Sequence, residues 1–206
     1  MRHLEMLERE IGGEWVGVRL CSGSAPSGVR RVSGMRICEA IREAVKENLI
    51  LPVTELSCPG ATRACGVSQD DEALAEGIAR KAGADAARVR EGIEATPRMP
   101  DDVDCLVMGH IPSWDVAISY AEPELAMNVV RRWQQSQGDG PSLRMSTLMG
   151  VCGNVVAATY VHQRIFVSLG CPTARSAGIL DSKHMVIGVP YALVAPLFDS
   201  QDDVPD

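Results

Sequence analysis

The chain has no basic excess. Its 206 residues carry 20 Lys and Arg against 27 Asp and Glu, a net charge of -7, and no basic stripe or aromatic–basic motif relieves that balance. Nucleic-acid binding, which depends on cations neutralising phosphates, is therefore excluded from the reading. Long apolar runs are also missing. No segment approaches the roughly 20 apolar residues of a membrane-spanning helix, and the opening MRHLEMLEREIGG lacks the apolar stretch of a secretory signal. The expectation is a cytoplasmic protein with neither membrane nor nucleic acid as partner. The nucleophile elbow, the H-E-x-x-H zinc helix, the phosphate loop and the Rossmann glycine fingerprint are absent too. Paired carboxylates do not stand out from the acidic background.

What is present is cysteine, seven of them. The count is odd, so at least one is unpaired, and a reducing compartment would keep all of them as thiols, metal ligands or catalytic groups. Cys105, in the apolar run Cys105-Leu106-Val107-Met108, and Cys21, closing Val16–Leu20, read as small strand residues of the core. The other cysteines fall into a pattern. Cys58-Pro59-Gly60-Ala61-Thr62-Arg63-Ala64 and Cys171-Pro172-Thr173-Ala174-Arg175-Ser176-Ala177 both fit C-P-x-A-x-x-A. Each is preceded by a further cysteine, Cys38 or Cys152, that opens a segment of helical character. Such recurrence reads as an internal duplication.

Proline suits the first turn of a helix, where its missing N–H costs nothing. Each C-P motif therefore predicts a short helix with cysteine at its N-cap and the helix dipole favouring thiolate. Ile37, Ala40, Ile41, Ala44 and Val45 share one helical face, which puts Cys38 in the first turn beside the core. Residues 69–97 predict two helical pieces broken near Gly83. Strands are expected at Trp15–Leu20, after Asn48, at Cys105–Met108, Val116–Tyr120, Ser142–Ser146, Ile165–Leu169 and Met185–Val189.

The fold class is accordingly α/β (or α+β), in two layers. The chain is one domain over 1–206, divided into a pseudo-repeat at about 13–133 and a second at about 142–198. An insertion at 67–113 interrupts the first, a linker covers 134–141, and residues 199–206 form a disordered tail. Two halves related in this way would bring Cys38, Cys58, Cys152 and Cys171 to one site. Four thiolates suit a 4Fe–4S cluster or a tetrahedral zinc; the remaining alternative is a metal-free thiol or anion-binding protein. Cys65 is a weaker ligand candidate, read first as a packing residue. Arg63 and Arg175 are candidates for a small anionic substrate, Arg175 and His162 for catalysis. A redox partner protein is the other expected partner, and a homodimer stays open.

The chain resembles the family known as domain of unknown function 169, found in archaea and anaerobic bacteria. The matching pieces are Val16–Leu20, Arg36-Ile37-Cys38-Glu39-Ala40, Cys58-Pro59-Gly60-Ala61, Val151-Cys152, Ser168-Leu169-Gly170-Cys171 with Arg175, and Ile187-Gly188-Val189-Pro190. The resemblance implies that Cys38, Cys58, Cys152 and Cys171 are the family's characteristic cysteines. Its anaerobic setting favours iron–sulfur over zinc. The sequence departs from the family after Cys171, where Pro172-Thr173-Ala174 replaces a glycine-rich tract. The leading expectation is a cluster-binding protein serving redox or sulfur/C1-type chemistry, with a non-catalytic four-cysteine accessory or assembly protein as the alternative.

Overall fold

The structure, a computed structural model, describes residues 2–23, 26–137, 142–143 and 147–198. In chain order the elements are α1 (Arg2–Glu10), β1 (Val16–Cys21), β2 (Arg30–Arg31), α2 (Ile37–Ala44), β3 (Leu49–Pro52), α3 (Pro59–Ala64), α4 (Asp71–Ala82), α5 (Ala86–Glu94), β4 (Cys105–Gly109) and β5 (Val116–Ala121). Then follow α6 (Pro123–Gln137), β6 (Ser142–Leu143), a π-helical segment (Cys152–Ala157) continuing into α7 (Ala158–His162), β7 (Phe166–Ser168), α8 (Pro172–Ser176), β8 (Met185–Pro190) and α9 (Tyr191–Val194).

The strands form one mixed sheet in the order β2-β3-β4-β1-β5-β8-β7-β6. The order runs symmetrically outward from the β1–β5 seam. On one side the outer pair β2–β3 is parallel and the next pairings are antiparallel; on the other, β6–β7 is parallel and the rest antiparallel. The registers correspond as well. Gly17 faces Gly109 and Leu49 faces Met108 on one side, while Ala117 faces Val189 and Phe166 faces Gly188 on the other. Gly17 and Ala117 also face each other across the seam.

In this sheet β4 and β5, consecutive in the chain, lie on either side of β1. β4 lies between β1 and β3 in the sheet, so the insertion expected at 67–113 reduces to α4, α5 and their flanking loops. The expected linker at 134–141 begins as helix, because α6 runs on to Gln137. Residues 138–141, the end of the expected strand at 144–146 and the tail at 199–206 lie outside the described residues.

The expected two layers are three. Alternate strand residues feed two cores: Val16, Val18, Leu49, Leu51, Leu106 and Met108 face one, while Ile50, Cys105, Val107 and Ala117 face the other. The first core is closed by α2–α5 and the π-helical segment, the second by α1, α6 and α9. Strands with helices on both sides lose the apolar–polar alternation of a half-exposed sheet. That is why β3 and β4 are buried throughout.

Candidate functional site: a four-cysteine pocket under the sheet

Four crossovers on the first face deliver the four cysteines. Cys38 lies in the first turn of α2, whose apolar face seats it against the sheet at 7 % exposure. Cys58 is the N-cap of α3 and Cys171 the N-cap of α8, each followed by proline at the helix start. Cys152 opens the π-helical segment, where all six residues are buried. A π-helix is rare and recurs at functional positions. Its approach is strained as well, since Met149 has φ 47 and its carbonyl accepts from both Gly153 N–H and Asn154 N–H, at 3.0 and 2.9 Å.

Small residues let these segments close together. A Cβ on Gly150 would lie 2.4 Å from the carbonyl carbon of Gly170, so the loops leading to Cys152 and Cys171 touch backbone to backbone. A Cβ on Gly60 would meet the Met149 side chain at 2.9 Å. Tyr120, on β5, reaches across the seam and donates its hydroxyl to the Cys38 carbonyl at 2.6 Å.

Cys38, Cys152 and Cys171 are each raised first by burial, with neighbouring thiols adding to it. Burial, then the Cys171 and Cys58 thiols, pushes Cys38 up to about 12. Cys152 is held well above the usual thiol range by burial first and then by Cys58, Cys171, Cys65 and Cys38. Cys171 is raised by burial, against the Ala174 and Thr173 N–H groups that oppose it. The expected dipole-stabilised thiolate is therefore corrected at Cys171. Desolvation outweighs what the N–H groups at the start of a five-residue helix supply. Among the described residues, no group of three His, Cys, Asp or Glu is arranged to hold a metal ion as it stands.

The remaining candidates separate. Cys65 lies beside the pocket, fully packed, with its sulfur 3.7 Å from that of Met99. Arg63 is not poised for an anion. At 3 % exposure it donates to Asp71 at 3.2 Å and to the Thr96 carbonyl, tying α3 to α4 and to the end of α5. Arg175 is likewise occupied by the carbonyls of Leu169, at 3.1 Å, His184, at 2.9 Å, and Asp181. Both arginines brace loops. His162 is exposed at the far end of α7 from Cys152, its ring 5.6 Å from Phe166.

Sequence reasoning missed Tyr120 and the cleft beside it. The cleft holds about 500 Å³ and is lined by Ile41, Ile118 and Tyr120 together with Arg42, Lys46 and His184 and the carboxylates Glu14 and Asp181. Tyr120 lines this cleft and at the same time holds the Cys38 carbonyl; burial first, then the Cys38, Cys171 and Cys152 thiols, raises its hydroxyl well above the usual range. A tyrosine in an alternating strand carries no signal of its own in the sequence.

The family model described as uncharacterised ArCR, domain of unknown function 169, matches residues 11–199. The chain belongs to that family. All four pocket cysteines of this domain of unknown function 169 protein fall within the matched span. No curated protein and no solved structure matches the chain.

Proposed function

We propose that the protein binds a 4Fe–4S cluster through Cys38, Cys58, Cys152 and Cys171. What supports this reading is that Cys38, Cys58, Cys152 and Cys171 all pack in or against one apolar core on the same face of the sheet, with α3 and the loop before Cys152 brought together where Gly60 meets Met149. A tetrahedral zinc with Zn–S bonds of about 2.3 Å needs its sulfurs within about 4 Å of one another. Among the described residues no group of three His, Cys, Asp or Glu is so arranged, and the choice of a cluster over zinc rests on the anaerobic setting of the family that the chain resembles. When bound, a cluster of this kind supplies one-electron transfer at a potential set by burial and hydrogen bonding.

The chain's own contributions follow from the pocket. The π-helical segment and the Gly150–Gly170 contact fix Cys152 against Cys171, and Tyr120 anchors the start of α2. Burial of Cys38 and Cys152 excludes water, while half-buried Cys58 and Cys171 face the route by which iron would enter. A small anionic substrate would reach the site through the cleft beside Tyr120, which Arg42 and Lys46 help to line. A non-catalytic accessory role is the second reading. It is favoured by one observation: Arg63 and Arg175 spend their donors on the protein itself.

Anaerobic purification followed by iron, zinc and acid-labile sulfide analysis tests the proposal. About four irons and matching sulfide per chain are expected, together with an electron paramagnetic resonance signal on reduction. Serine at any of the four positions should abolish the cluster, whereas Cys21→Ser and Cys105→Ser should retain it. A colourless, folded, metal-free protein would sink the reading.

A further inference from the structure

On the other face of the sheet, Cys21 and Cys105 stand directly opposite each other across the β1–β4 pair. Cys21 ends β1 and Cys105 begins β4, so they form the last rung of that ladder. Directly opposed antiparallel residues have Cα atoms about 4.5–5.5 Å apart and side chains on the same face. A disulfide needs about 4.4–6.8 Å between Cα atoms, so the bond can close without moving either strand. Both are free thiols, Cys105 buried and Cys21 half-buried. The rung is held on its flank by Asp104 N–H donating to the Cys21 carbonyl at 2.8 Å, and by Ser22 donating to Asp102 at 3.0 Å. Both residues pack with the second core, across the sheet from the four-cysteine pocket.

We infer that Cys21 and Cys105 form a dithiol–disulfide exchange site that takes small disulfides as oxidant and closes into a cross-strand bridge. The half-buried Cys21 loses its proton and attacks one sulfur of a small disulfide RSSR. The S–S bond breaks, a mixed disulfide Cys21–SR forms, and RS⁻ leaves and takes up a proton. Cys105 then attacks the Cys21 sulfur, loses its own proton and expels the second RSH. Two thiols and one RSSR become one protein disulfide and two RSH; two electrons pass from the protein to the small disulfide. Burial pushes Cys105 up to about 11, with Cys21 contributing next. That suits the roles, because the buried thiol is a poor first nucleophile and meets only a partner already held beside it.

Trypsin places the two residues on separate peptides, 20–30 and 99–131, each with a single cysteine. The full chain is incubated anaerobically with oxidised glutathione, alkylated, digested and mapped by mass spectrometry. The expected product is the linked 20–30/99–131 pair as the main fate of both cysteines, reversed by dithiothreitol, with a higher melting temperature in the oxidised form. Cys105→Ser should accumulate glutathione on Cys21, and Cys21→Ser should leave Cys105 unmodified. The inference is overturned if wild-type Cys21 stays glutathionylated while Cys105 is alkylated. It is also overturned if neither reacts, or if Cys105 links to a different cysteine. The wild-type map decides the matter even if a variant does not fold, and it does so whether or not the four-cysteine pocket holds iron.

Discussion

Arg63 has an aliphatic stem and a guanidinium that both lie inside the protein, with Asp71 and the Thr96 carbonyl as partners. Arg63→Met should destabilise the fold by about 2–3 kcal/mol. That is below the roughly 3–5 kcal/mol for breaking a fully buried pair, because Asp71 keeps 20 % side-chain exposure. Urea unfolding should show a lower midpoint with an unchanged slope, and iron content should stay at the wild-type level. An anion-binding Arg63 would give the opposite result, normal stability with altered ligand binding. The thiols make a second prediction. Burial raises Cys65 to about 12 and Cys105 to about 11 from an ordinary 9.0. Unfolded chains would lose these protons first as pH rises, so the native state binds more protons and stability falls. The contribution is complete below pH about 9 and is lost as pH climbs through 11 to 12. Urea midpoints measured from pH 8 upward should fall, and Cys65→Val should flatten the slope. The four candidate cysteines stand out in the sequence because a repeated pattern marks them. The arginine partners were not, since Asp71, Thr96 and His184 are near their arginines only after loops fold back.

At the scale of elements, the glycine contact between Gly150 and Gly170 sets how closely the two cysteine-bearing loops approach. Gly150→Ala places a methyl 2.4 Å from backbone carbon, and backbone has little room to yield. A loss of about 1–3 kcal/mol is expected from overpacking, together with reduced iron retention on dilution. Unchanged iron occupancy and stability would show that the loops need no such contact. Helical periodicity and the C-P pairs were enough to locate α2, α3 and α8, because capping chemistry is local. The π-helical segment was read as ordinary helix. Its extra residue per turn goes with the way Gly150 meets Gly170 and Gly153 packs on Met149 and Thr96, which is tertiary information. The long apolar strands were found, but their two-sided burial was not, because a run such as Cys105–Met108 looks alike in two layers or three.

Across the whole molecule, the β1–β5 seam joins the two sets of strands whose connections carry the four cysteines. Cys38 and Cys58 lie on crossovers of β1–β4, Cys152 and Cys171 on crossovers of β5–β8. A chain truncated after β5 should bind no iron even where it remains soluble, as metal analysis of the purified fragment would reveal. The sequence repeat predicts two halves divided by a linker at 134–141, whereas the sheet order runs symmetrically about the β1–β5 seam. Position along the chain cannot tell a strand that closes one unit from one that opens the next, and only the pairing of β5 with both β1 and β8 decides it. The same arrangement has a consequence in time. From Cys38 to Cys171 the ribosome adds about 130 residues, which takes roughly 7–26 s at about 5–20 residues per second. For that interval the early thiols wait without their partners, so iron delivered during synthesis would meet half a site. A cluster held by all four cysteines would therefore be loaded after release, from the side where Cys58 and Cys171 still touch solvent.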